Sequence, residues 1–195
     1  EENVVALSIA TRPDCLGDDV LELLEEMSKK VYLWVELGLQ TINDETAENF
    51  NRGYKFEVFK EGIKKLQDRG IEVVVHSIFG LPGETKEDML KTIDYIAHSG
   101  AQGIKFHLLH LMKYTKMAEQ YYNGEFQLLS EEDYIDLICE GISMIPEDMV
   151  VHRLTGDAPR ATLIGPMWSL KKWEVLNAID KALVDRDIWQ GKNFK

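Results

Sequence analysis

Three observations predict an α/β fold built on parallel strands. Short β-rich runs alternate with helical stretches along the chain, a pattern that favours strands joined by helices over a meander or a bundle. Gly70 and Gly100 each close a helical stretch directly before a strand, the C-terminal glycine that αβ connections use. One strand divides into an aliphatic face and a polar face. A parallel sheet covered by helices on both sides should be apolar on both faces, so the polar set implies a barrel lumen or cleft.

The elements follow in order. Strands are expected at Val4 to Ala10, Tyr32 to Leu37, Ile71 to Phe79, Gly103 to Leu109 and Met149 to Leu154. Between them, helices are expected at Asp18 to Lys30, Asp44 to Asn51, Lys55 to Arg69 and Lys86 to Ser99. Three more follow the fourth strand, at Thr115 to Asn123, Ser130 to Met144 and Leu170 to Arg186. Trp168 and Trp173 at the start of the last are expected in the core or as staples, and Gly156 with Asp157 as a tight turn.

With 195 residues, 45% of them hydrophobic, the chain supports one sizeable core. Its formal net charge is -12, with acidic residues scattered over helix faces, which argues against a large phosphate-binding footprint and so against nucleic acid. Cys15 and Cys139 have no ligand-like spacing and read as reduced thiols of a cytoplasmic protein. No membrane span or signal peptide is expected. The opening EENVVALSIATRPD enters a strand abruptly, as if chain upstream were absent.

Successive side chains of a strand project to opposite sides. In the second strand Val31, Leu33, Val35, Leu37 and Leu39 suit packing under helices, while Tyr32, Trp34, Glu36, Gly38 and Gln40 face the lumen. The first strand offers Ser8, Ala10 and Arg12; the third offers either Val74, His76 and Ile78 or Val73, Val75 and Ser77; the fourth offers Lys105 and His107. Several fall near C-terminal strand ends, where barrel enzymes place their sites. Glu36 and Lys105 read equally well as a buried ion pair filling the lumen.

The third strand runs through HSIFGLPGET into a helix. Gly80 and Gly83 relax the backbone there, Pro82 fixes it, and Thr85 is placed to cap the helix. By itself this is an ordinary βα loop. With TRPD at Thr11 to Asp14, ELGLQT at Glu36 to Thr41, NRG at Asn51 to Gly53 and HLLHLMKYTKMA at His107 to Ala118, it resembles the radical S-adenosylmethionine superfamily. The likeness is to the branch of oxygen-independent coproporphyrinogen oxidase and the Elongator catalytic subunit. HRLTGDAPR at His152 to Arg160 and the final WEVLNAID and WQGK are similar to the uncharacterised YhcC-like radical proteins.

That resemblance implies a partial (βα)6 TIM-like barrel over residues 1–125, holding strands three to six, with a C-terminal α/β extension over residues 126–195. It implies an enzyme that reductively cleaves S-adenosylmethionine to a 5'-deoxyadenosyl radical at a 4Fe-4S cluster, drawing an electron from a flavodoxin or ferredoxin. By position, Gln40 and Arg52 would hold the methionine part, His76 or Ser77 the ribose, and Ile78, Gly80 and Leu81 would line the adenine, with Glu36 in the same group. Lys105, His107 and His152 are the substrate-side candidates. The cluster's CxxxCxxC loop is not in the chain, so these residues alone are expected to be inactive and to self-associate through the strand edge left open. Tyr114 and Lys116 stand where the family pattern has glycine and proline. The competing expectations are a barrel aldolase or epimerase with Lys105 as Schiff-base amine, and a non-catalytic module binding a partner such as tRNA.

Overall fold

The computed structural model describes residues 3–195. Four strands come from the first half of the chain and alternate with helices: β1 (Ala6–Thr11), α1 (Asp18–Ser28), β2 (Tyr32–Gln40), α2 (Asp44–Asn49), α3 (Phe56–Gln67), β3 (Glu72–Phe79), α4 (Lys86–His98) and β4 (Gly103–Leu108). Beyond them lie β5 (Leu111–Met112), α5 (Lys116–Tyr122), α6 (Glu131–Met144), β6 (Val150–Arg153), β7 (Leu163–Gly165) and α7 (Lys172–Asp185). One sheet of five strands runs in the order β1-β2-β3-β4-β6, every neighbouring pair parallel. The segment expected as an extension therefore supplies the fifth strand of this same sheet. The short antiparallel pair β5 and β7 was not expected from the sequence.

Helices cover one face only. Leu33, Val35, Leu37 and Leu39 of β2 and Val73, Val75 and Phe79 of β3 are buried with Phe59, Ile63 and Leu66 of α3 and Met89, Ile93 and Ile96 of α4. The helical residues recur at three- and four-residue spacing, so each helix presents one apolar stripe to the sheet. Helix starts are fixed by side chains: Asn43 accepts from the Glu45 and Thr46 N–H groups, and Thr85 forms a reciprocal capping box with Asp88. Helix α6 packs on α4 and α7 and buries Tyr134, whose hydroxyl donates to the Leu154 carbonyl at 2.8 Å. Trp168 rests against this core with its indole N–H on the Leu129 carbonyl, but Trp173 is 77% exposed and staples nothing. Its position on α7 leaves the inward stripe to Val175 and Ile179.

Among the described residues the other face of the sheet carries no helix, and it is the polar one. Register puts Ser8, Trp34 and Glu72 side by side, then Ala10, Glu36 and Val74, then Gly38, His76 and Lys105.

Candidate functional site

Glu36 lies at the centre of the open face. Its carboxylate accepts from Lys105 Nζ at 2.5 Å, His76 Nε2 at 2.8 Å and Ser8 Oγ at 2.8 Å, which ties together β1, β2, β3 and β4. Glu36 and Lys105 are only 13% and 15% exposed. Burial pushes the Glu36 carboxyl up, but donation from Lys105, Ser8 and His76 outweighs it and holds the group down at about 2. The ion pair expected of Glu36 and Lys105 is thus present, within a larger network.

His107 lies beside His76, with ring centroids 5.0 Å apart. Burial, reinforced by the neighbouring His76, Arg153 and Lys105, pushes His107 down to about 4, so it is a neutral imidazole at pH 7. His107 Nε2 is buried without a partner. Burial likewise pushes His76 down. His152 lies against Gly103, where an added Cβ would meet its ring at 2.7 Å, and 6.4 Å from the Trp34 ring. Trp34 and His152 also line a hollow of about 160 Å³ with Tyr32, Glu72, Val74, Gln102 and Val150, toward the N-terminal strand ends.

At the C-terminal tip of β2 the register slips between Gly38 and Gln40, and Gln40 sits at φ 66. Its Oε1 is buried without a partner. A Cβ at Gly38 would come within 2.9 Å of the Gln40 amide and 3.3 Å of Tyr54 Oη. Gly38 therefore leaves the space in which the Gln40 amide lies over the strand.

Four expected site residues have other surroundings. The Arg52 side chain is 2% exposed and donates to the carbonyls of Leu39, Thr41 and Tyr54 and to the Asp44 carboxylate. These bonds use four of its five N–H groups, so it organises the β2–α2 loop and has no two-pronged face left for a carboxylate. Ser77 is fully buried on the helix side of β3, its hydroxyl donating to the Lys105 carbonyl; of the two candidates for the ribose, His76 faces the open side. Gly80 sits at φ 85 with its N–H on Met89 Sδ and Leu129 packed over its Cα. Leu81 is 3% exposed, and its carbonyl accepts from the Glu84 N–H. The Gly80 N–H and the Leu81 carbonyl of the bend are thus engaged. Ile78, on the face of His76, remains half-buried toward the open side.

The loops of two motifs are bolted together: the Thr41 hydroxyl donates to the Glu84 carboxylate, whose proton affinity burial raises. Tyr114, standing for the expected glycine, is 96% exposed at φ 66, a conformation that glycine adopts without strain. Arg153 was not among the expected site residues. It pairs in register with Lys105 because the β4–β6 pairing is irregular after Ile104 and Val151, which sets His152 of β6 aside.

Among the described residues no group of three His, Cys, Asp or Glu could hold a metal ion, and no helix is long and apolar enough to cross a membrane. Cys15 is exposed and Cys139 buried.

Residues 1–96 match the family described as Radical SAM superfamily, and residues 101–185 match the Radical_SAM C-terminal domain. The chain is 50% identical to the uncharacterised protein YtqA of Bacillus subtilis over 194 residues, covering all of this chain and 60% of that protein. It is 36% identical to YhcC of Escherichia coli K12, covering 96% of this chain and 61% of the relative. The solved structure of Elp3 from the archaeon Methanocaldococcus infernus, with an N-terminal deletion, superposes with a TM-score of 0.81 at 25% identity, over 95% of this chain and 43% of that one. The chain thus spans about three-fifths of the length of these curated relatives.

Proposed function

The chain belongs to the radical S-adenosylmethionine superfamily, and on that premise we propose that the open face holds S-adenosylmethionine across β2 and β3 and a second substrate against β4 and β6. The observation that carries this reading is Gln40: a buried carbonyl oxygen without a partner, on a strained strand tip, at the C-terminal end of a parallel sheet. Unpaired buried acceptors are costly, and backbone strain of this kind gathers at ligand sites. The ammonium of the methionine moiety is a donor that would satisfy it. Ile78 offers an apolar surface to the nucleoside, and His76, held by Glu36, a ring nitrogen toward its hydroxyls. Glu36 already accepts three hydrogen bonds, so its main part is to orient His76 and Lys105. Bound there and given an electron from outside this chain, S-adenosylmethionine would supply hydrogen-abstracting radical chemistry to a substrate on the same face.

The chain's residues do not fit a 4Fe-4S cluster, which needs three cysteine ligands where Cys15 and Cys139 are the two present. In the whole protein the cluster would rest on residues outside this chain, with a flavodoxin or ferredoxin as electron source, making that protein a cytoplasmic oxidoreductase. The aldolase reading gains nothing from the geometry, since the Lys105 ammonium is engaged by Glu36.

Titration of the chain with S-adenosylhomocysteine, followed by NMR, tests the reading. Saturable binding is expected, weakened about tenfold in Gln40→Ala by loss of one charge-assisted hydrogen bond. An unchanged affinity in that variant, or no saturation in the unmodified chain, refutes it.

A further inference from the structure

The open face carries two cations against two carboxylates, but one of the cations has no anion bonded to it. Lys105 and Arg153 are neighbours in register on β4 and β6. Glu36 is the carboxylate between the strands, and it already accepts from Ser8, His76 and Lys105. Glu72, at the N-terminal end of the face, accepts from the Tyr32 hydroxyl. Asp157, on the loop beyond β6, feels the Arg153 charge but makes its ion pair with Lys172, at 2.7 Å.

The half-buried Arg153 guanidinium makes no hydrogen bond or ion pair among the described residues. Its charge is felt by both His76 and His107, whose proton affinity it helps to lower, which places it over the same face. Beside it, the buried His107 Nε2 has no partner either. A free planar fork, an ammonium with donors to spare and an unfilled imidazole nitrogen converge on one patch of a chain whose net charge is -12. Unengaged donors gathered at one point of an acidic chain are not a general attraction to polyanions but a directed one.

We propose that the substrate of this face carries an oxyanion group, a carboxylate or a phosphate, which Arg153 grips with two N–H donors while Lys105 and His107 complete its coordination. Arginine suits this role because its fork matches two oxygens of a carboxylate or phosphate. The neutral state of His107 lets its ring nitrogen donate without adding charge. The site rests on the reading of β4 and β6 as the substrate side, and it leaves the cofactor to β2 and β3.

The test is calorimetric titration of the chain with sodium phosphate and with sodium acetate, at constant ionic strength set by chloride. It is repeated for Arg153→Met and Arg153→Lys, and each protein is also titrated with S-adenosylhomocysteine. Saturable binding of one oxyanion is expected, weakened about tenfold or more in Arg153→Met and less in Arg153→Lys, with S-adenosylhomocysteine affinity unchanged in both. Preference for phosphate assigns a phosphorylated substrate and preference for acetate a carboxylic one. Equal oxyanion affinity in Arg153→Met, or no saturation above the chloride background, overturns the proposal. Loss of S-adenosylhomocysteine together with the oxyanion in Arg153→Met also overturns it, by moving Arg153 into the cofactor's own site. If no protein binds S-adenosylhomocysteine while Arg153→Met alone loses the oxyanion, this proposal stands and the cofactor reading falls.

Discussion

Replacing Glu36 with glutamine should flatten the acid limb of the stability curve. The carboxyl is held at about 2 against its ordinary 4.5, so the folded state prefers the ionised form. At about 1.4 kcal/mol per pH unit, that difference corresponds to roughly 3 kcal/mol. Because the face is open to water on one side, about 2 kcal/mol is the more realistic figure. A depressed carboxyl contributes its stability above the unfolded value, and the contribution is lost as pH falls through the folded one. The wild-type chain should therefore lose this amount between about pH 5 and pH 2, over and above the loss shared with Glu36→Gln. At pH 7 the variant should be less stable by a similar amount, because Lys105 is left without its anion. Urea unfolding followed by circular dichroism at pH 7, 5 and 3 measures both. Parallel loss of stability in the two proteins as pH falls would show that the network on Glu36 does not hold its proton off.

Three further outcomes are expected. Gly62→Ala should cost about 1–3 kcal/mol, since the new Cβ would lie 2.9 Å from Pro13 Cβ and 3.3 Å from its Cα, which cannot swing aside; thermal unfolding measures it, and a midpoint at the wild-type value would contradict the packing. Tyr134→Phe should cost about 1–2 kcal/mol by stranding the Leu154 carbonyl under α6, read as a lower urea midpoint at unchanged slope. The chain should self-associate through β1, whose outer edge is unpaired and whose neighbour Val5 is 83% exposed; light scattering that gives the mass of one chain across the micromolar range would refute this.

The sheet and most helices were legible because their signals are periodic. β2 shows why: every second residue from Leu33 to Leu39 is buried and every residue between them is more exposed. β5 and β7, at two and three residues, are too short to carry any period. The third strand's two faces were both apolar enough to leave His76 and Ser77 unresolved, and only pairing with β2 and β4 separates them. Arg52 misled because sequence spacing cannot reveal that a tight loop leaves carbonyls needing a donor, which this side chain meets. Arg153 was missed for the converse reason: the irregular pairing of β6 breaks the strict alternation by which inward residues are counted. The network on Glu36 was half legible, its members named by polar alternation but its connectivity visible only in three dimensions.

The strand order β1-β2-β3-β4-β6 is also the order of the chain. Many open α/β sheets reverse direction partway, so a later strand must dock on the far side of an earlier one. Here each strand of the sheet can be laid onto the edge left by the one before it as the polypeptide emerges, with no insertion between strands already paired. Ribosomal synthesis proceeds slowly enough for such addition, so the nascent sheet would grow like a row of planks. Each strand laid would carry the open edge with it, and a pause in translation before Val150 should leave the outer edge of β4 exposed to capture by chaperones.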